Sequence, residues 1–418
     1  MTAKRRRTLC VDAAGKHGCS ATIKAAVTAA SPNDTIEVHS GIYKESVVIG
    51  KSISLVAVDG HKVVIEAVGR PNGIYIDGID NPDLSHVLVE GFTIRNANFE
   101  GILVTNASSV TIYGNRVADN DKSLQIGPPP SCPGIPSFET LEAFDCGEGI
   151  HLSGVHHSIV ANNIVENNAG GILLSDDTGA THDNLISGNI VRNNPFDCGI
   201  TLASHPPAAL TAASAPLGVF RNTISENESS TNGLAVGEGA GVGIFASVPG
   251  AKSYGNVVAY NRLTGNGLPG VAMHSHTPGQ NLDDNIILGN FIAGNAKDSD
   301  DAATAGPTGI NVFGVSPIAG TVIAKNVIAD ETIAVAINTP GDVDVHLNDF
   351  NGIETGIDNG GGGKVDATEN WWGCAHGPGA ARCANVNVGP PAVVFSPWLG
   401  APFHERTEGH KGEQDDHH

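Results

Sequence analysis

The sequence predicts an all-β chain wound as a single-stranded, right-handed parallel β-helix, a solenoid of short strands with a helix closing its N-terminal end. Three observations carry this reading. A Gly-apolar-x-apolar phrase returns along the chain, as in Gly73-Ile74-Tyr75-Ile76, Gly101-Ile102-Leu103-Val104, Gly149-Ile150-His151-Leu152 and Gly171-Ile172-Leu173-Leu174. An asparagine-closed phrase precedes most copies, as in Asn162-Asn163-Ile164-Val165-Glu166-Asn167-Asn168. Aromatic residues make up only 5% of 418 residues, too few to fill several conventional cores. Self-similarity at a period of 20 to 50 residues is the mark of a solenoid, in which each repeat buries its face against its neighbours.

The first seven residues hold the only basic run, Lys4-Arg5-Arg6-Arg7, which reads as the n-region of an export signal or as a disordered tail. Residues 22–30 form a short amphipathic segment suited to plug the first coil and hide its edge. Residues 34–45 open the first turns, and the solenoid is expected to run as one domain from 8 to 400. The phrase continues at Gly199, Gly243, Gly270 and Gly309, and a degenerate copy, Ser123-Leu124-Gln125-Ile126, fills the gap before Gly149. In each asparagine-closed phrase, Asn supplies the left-handed turn that ends a strand. Trp371 and Trp372 suit a terminal cap better than a sugar platform, and residues 401–418 form an acidic, His-containing tail.

The seven cysteines fall into the pairs Cys10–Cys19, Cys132–Cys146 and Cys374–Cys383, with Cys198 left as a thiol. Such spacings suit disulfides, and hence an extracellular or periplasmic compartment. No apolar run is long enough to span a membrane as a helix. A formal charge of -21 excludes nucleic acid as an expected partner, because phosphate binding needs a clustered basic face. The chain is expected to be a monomer.

The capping segment with the run from Asp34 to Leu55, the irregular asparagine-rich coils, and the closing Asn370-Trp371-Trp372-Gly373 resemble the pectate-lyase-like superfamily of parallel β-helix proteins. The nearer likeness is to its NosD-type, parallel-β-helix-repeat branch, over roughly residues 8–400. That resemblance implies the fold. It leaves function open, because the branch includes polysaccharide lyases, hydrolases, epimerases and proteins without activity.

Strand alternation sends the first and third residues after each Gly inward and the second and fourth outward. The outward ladders then carry Gln125, His151, Thr201 and Phe245 at the second place and Ser175 and His274 at the fourth, with Asp176, Asp177, His205 and His276 just beyond. Insertions at 127–147, 206–216, 228–240, 277–284 and 296–308 make this strand face the floor of a groove, where homologous enzymes bind polysaccharide. His151, Asp176, Asp177, His205, Asp145 and Glu148 are the candidate acid–base groups, and Gln125, Thr201 and Ser175 the candidate substrate contacts. His274 and His276 share one side of a strand and are candidate metal ligands, for copper or zinc; calcium would need the carboxylates. The readings this leaves are action on, or binding of, a polysaccharide or oligosaccharide; a non-catalytic metal-, glycan- or partner-binding protein; and a structural solenoid. As exposed groups, these side chains are expected to shift stability by no more than about ±0.5 kcal/mol when replaced by alanine.

Overall fold

The computed structural model describes residues 6–127, 129–139, 147–204, 217–302, 304–388 and 393–404. The chain winds into a right-handed parallel β-helix whose three long parallel sheets have 14, 12 and 11 strands among the described residues. A fourth sheet of three two-residue strands, Thr181–His182, Val219–Phe220 and Ser253–Tyr254, lines one corner. The alternation expected of the strands is observed: Ile150, Leu152, Ile172, Leu174, Ile200 and Leu202 all join the apolar core inside the coils.

The corners are held by asparagine in a way the sequence reading did not foresee. The left-handed residue is the one before the inward asparagine: Asn162, Asn167, Gly188, Asn193, Glu226 and Tyr260 have positive φ. The asparagine that follows turns into the bore and is buried. One column runs Asn115–Asn163–Asn189–Asn227–Asn261–Asn290–Asn326–Asn348–Asn370, each backbone N–H donating to the Oδ1 of the next at 2.9 Å. The Nδ2 groups donate to strand carbonyls, for example Asn189 to Val160 O and Asn227 to Ile186 O, both at 2.9 Å. A second column, Asn120–Asn168–Asn194–Asn232–Asn266–Asn295, ends on Glu331 Oε1. A third runs Ser158–Asn184–Asn222–Asn256–Asn285. Adjacent columns lie five residues apart in sequence and frame three-residue strands such as Ile159–Ala161 and Ile164–Glu166.

Both ends are closed. The helix Ile23–Ala29 buries Ile23, Ala26 and Val27, and Thr22 caps its start. Glu45 accepts from Ile23 N and Lys24 N at 2.9 Å, and Lys51 Nζ donates to the carbonyls of Val27, Thr28 and Ala30 at the helix end. The first strand, Thr8–Val11, precedes this helix and pairs with Thr35–Val38, so the first coil starts earlier than the Asp34 expected from the sequence. Arg7 pairs with Asp34. At the far end Trp372 is fully buried against Phe350 and Phe395, which makes it a cap, and Asp349 accepts from the backbone of Phe403 and His404. Cys10–Cys19 and Cys374–Cys383 are disulfides and Cys198 is a buried thiol, as expected. Cys132 is also disulfide-bonded, and Cys146 lies outside the described residues.

Two tests follow from this packing. Ile172→Asp places a carboxylate in the closed bore, where an unpaired charge costs several kcal/mol, and is expected to abolish cooperative unfolding as followed by circular dichroism. Glu331 stands where every other rung of its column has asparagine, and its Oε2 is buried without a hydrogen-bond partner. Burial, with Asp330 adding to it, pushes its carboxyl up to about 7. The folded protein therefore favours the protonated form. Stability is full below the ordinary carboxyl range and falls as pH rises toward 7, by up to about 3 kcal/mol. Glu331→Gln is expected to unfold at higher denaturant than the parent at pH 8, with the difference closing by pH 4.

Candidate functional site

The outward face of the 12-stranded sheet carries two ladders whose order is fixed by strand pairing. One reads Tyr75, Leu103, His151, Leu173, Thr201, Gly243, Ala272, Asn311 and the other Asp77, Thr105, Ser153, Ser175, Ala203, Phe245, His274, Phe313. Two expected placements are corrected. Leu103 pairs directly with His151, so Ser123–Ile126 forms no rung; Gln125 sits exposed on the insertion and bridges antiparallel to Ser131. The coil near residue 243 is aligned on Gly241, two residues earlier than its phrase suggests, which moves Phe245 beside His274. In this register a Cβ on Gly243 would lie 2.3 Å from the Phe245 ring, which folds back over it, so the position requires glycine.

The expected exposure is also corrected. His151, Ser175, Asp176 and Asp177 are 2%, 0%, 1% and 4% exposed, and Glu148 and Thr201 are buried with them. Glu139 of the 129–139 segment lies beside His151. Asp176 is a brace, accepting from Ser204 Oγ at 3.0 Å and Gly218 N at 2.6 Å on the next coil. Glu148 and Asp197 lie on either side of Gly170. Ser175 Oγ donates to Asp177 at 2.7 Å and lies 2.8 Å from His151 Nε2. Because the hydroxyl proton is spent on Asp177, His151 Nε2 donates to Ser175. His151 Nδ1 then faces Glu100 Oε1 at 3.6 Å. His182 and Asp183 are engaged elsewhere: His182 stacks with His156 and Phe220 at 5.1 and 4.9 Å, and Asp183 pairs with Arg221. Asp145 and His205 lie outside the described residues.

The second cluster is at His274 and His276, where the strand Val271–Ser275 ends. His274 is 1% exposed, and its Nε2 donates to buried Asp298 Oδ2 at 2.6 Å, while Asn311 Nδ2 donates to the same oxygen at 2.8 Å. His274 Nδ1 and His276 Nε2 face one carboxylate oxygen, Asp300 Oδ2, at 3.5 and 3.6 Å. Burial disfavours charge on His274, but Asp298 and Asp300 outweigh it and raise the imidazole to about 9. The same two imidazoles hold Asp300 well below the usual carboxylate range. Both aspartates come from the 296–308 insertion; sequence reading marked that loop but not its carboxylates, whose Asp298-x-Asp300 spacing is the signal that was there to use.

These groups open on a cavity of about 210 Å³ lined also by Leu173, Asp197, Cys198, Thr201, Phe245 and Glu238. Burial, then Asp300, raises the Glu238 carboxyl. Among the described residues, no lysine or arginine lines the cavity. Between residues 123 and 251 the only basic side chains are Arg192 and Arg221, which pair with Glu166 and Asp183. The donor set suits a transition-metal ion. Imidazole nitrogens with one carboxylate match Cu²⁺ or Zn²⁺, and a carboxylate behind a ligating imidazole fixes its tautomer. His274 Nδ1, His276 Nε2 and Asp300 would hold the ion.

A family model described as "Right handed beta helix region" matches residues 54–213, and one described as "Periplasmic copper-binding protein (NosD)" matches residues 137–373, over half of the chain. No curated protein matches in sequence. Among solved structures, a mannuronic acid specific polysaccharide family 6 lyase from human gut microbiota is 12% identical, with 97% of this chain and 94% of that one covered and a TM-score of 0.55. DFA-IIIase from Arthrobacter chlorophenolicus A6 is 12% identical, with 95% and 100% covered and a TM-score of 0.57. The Dettilon tailspike protein is 13% identical, with 87% and 62% covered and a TM-score of 0.57. At such identities these likenesses establish the fold alone. No helix among the described residues is long and apolar enough to cross a membrane.

The burial of the first cluster changes what its substitutions should do. His151→Ala and Asp176→Ala each remove a partner from an enclosed network and are expected to cost about 1–3 kcal/mol in urea denaturation, not the near-zero effect of a surface change. His276→Ala, on a half-exposed side chain, is expected to stay within about 0.5 kcal/mol of the parent.

Proposed function

We propose, for a chain that belongs to the NosD family of β-helix proteins, that it is an exported protein whose groove binds a transition-metal ion, copper foremost, through His274, His276 and Asp300. The observation that carries this reading is the His274–Asp298 hydrogen bond. It commits Nε2–H to a buried carboxylate and leaves Nδ1 directed at Asp300 and His276. Ligand atoms within 4.8 Å of one another can close on an ion with small side-chain rotations. Bound there, copper would supply a Lewis-acidic or redox-active centre open to the cavity. The protein's part is to orient the imidazoles, hold the negative charge that attracts the cation, and limit solvent to one side. The disulfides and the family's periplasmic description support an oxidising compartment.

A second reading keeps the cavity and places a neutral oligosaccharide in it. Asp197, Glu238 and Asp300 bring carboxylates around a floor that includes Leu173 and Phe245, and glycoside hydrolysis needs two carboxylates. A polyuronate is disfavoured, because Asp197, Glu238 and Asp300 line the cavity and no lysine or arginine does so among the described residues.

Calorimetric titration of metal-free protein with Cu²⁺, with electron paramagnetic resonance as a second readout, tests the first reading. One equivalent with nitrogen coordination is expected, lost in His276→Ala and weakened about 10- to 100-fold in Asp298→Asn. Unchanged Cu²⁺ affinity in His276→Ala would overturn it. Reducing-end release from a neutral glycan, abolished by Glu238→Gln, would select the second reading.

A further inference from the structure

We infer that the chain carries a second cation site, buried beside residues 129–139, in which Glu100, Glu139 and His151 Nδ1 hold a divalent ion of the Zn²⁺ or Mn²⁺ class. It lies apart from the His274 cluster and does not depend on the reading given to that cluster. Three observations converge on it.

The first is enclosure. Glu100, Glu139 and His151 are 0%, 3% and 2% exposed, and one ligand atom from each lies within 4.8 Å of the others. Metal–ligand bonds of about 2.0–2.2 Å set neighbouring ligands roughly 3.3–3.5 Å apart, so closure needs little movement. The second is a prepared tautomer. Asp177 takes the Ser175 proton and Ser175 takes His151 Nε2–H, so Nδ1 presents its lone pair toward Glu100. A ligating histidine ordinarily has its other nitrogen fixed in this way.

The third is an orphaned oxygen. Asn72, with its amide nitrogen turned to Glu100, donates to Oε2 at 2.6 Å, while Oε1 is enclosed and accepts no hydrogen bond. Buried carboxylates need a proton, a cation or a basic partner. No lysine or arginine occurs from residue 123 to 191, or from 205 to 216. The arginines of the flanking strands are committed, Arg95 to Glu66 and both Arg116 and Arg192 to Glu166. Two carboxylate oxygens with one imidazole nitrogen favour zinc or manganese over calcium, which wants six or more oxygens.

The test uses the full chain carrying His276→Ala, so that the outer cluster does not contribute. Protein produced with Zn²⁺ supplied is expected to retain one zinc per chain by elemental analysis, with an anomalous diffraction peak between Glu100 and His151. Adding Glu100→Gln should remove that zinc, and adding Ser175→Ala, which frees the imidazole without touching a ligand, should weaken it about 10- to 100-fold in a chelator competition. Failure to retain zinc in the His276→Ala protein overturns the inference. So does equal zinc retention after Glu100→Gln. So does a Glu100→Gln protein that is more heat-stable than its parent with and without zinc alike, since the two carboxyls would then be sharing a proton.

Discussion

The structure depends on how its corners satisfy their backbone. A coil of three short strands turns sharply several times, and each turn brings N–H and C=O groups inward where water cannot reach them. Inside such a bore an unpaired amide costs about 1–3 kcal/mol, and the turns recur in every coil. The asparagine columns answer this with one residue type. Its Oδ1 accepts from the backbone of one neighbouring coil, and its Nδ2 reaches a strand carbonyl. The preceding left-handed residue aims it into the bore. Strand length, coil spacing and register in two of the three sheets follow from this. Glu331 is the exception, a carboxylate where the column needs an amide.

The third sheet, with 12 strands, starts beside the second column, where Gly101, Gly149 and Gly199 leave room for Asn120, Asn168 and Asn232, but its outward positions are free of the same demand. Insertions are therefore tolerated at both of its edges, as loops on a rigid scaffold commonly are. They do more than wall a groove. Residues 129–139 bring Glu139 over His151, and residues 296–308 bring Asp298 and Asp300 to His274 and His276. Each imidazole meets acidic groups from another coil or loop. Acidic groups around both imidazoles make the local field on this face negative.

Both imidazoles are arranged alike. His151 commits Nε2 to Ser175 and Asp177, and His274 commits Nε2 to Asp298, so each presents Nδ1 to carboxylates. They differ in access. The His151 cluster is enclosed, while His276 and Asp300 keep the outer cluster open to the cavity. An enclosed ion stabilises a fold; an open one can bind an exogenous ligand.

The sequence by itself determined the solenoid, the inward alternation of Ile150, Leu152, Ile172 and Leu174, and the terminal caps, because period-2 burial and a repeat length are local properties. It marked His151, His274 and His276 as residues on one face for the same reason. Tertiary structure decided the rest. The overlapping phrases at Gly241 and Gly243 allow two registers, and the fold adopts the one that starts at Gly241 and lays the Phe245 ring over Gly243. Gln125 left the ladder because a coil can bypass an insertion without losing a rung. The placement of Glu139 beside His151, and of Asp298 and Asp300 beside His274, comes from loops that reach the face. Where a loop lands depends on packing between coils, which no local pattern in the chain encodes.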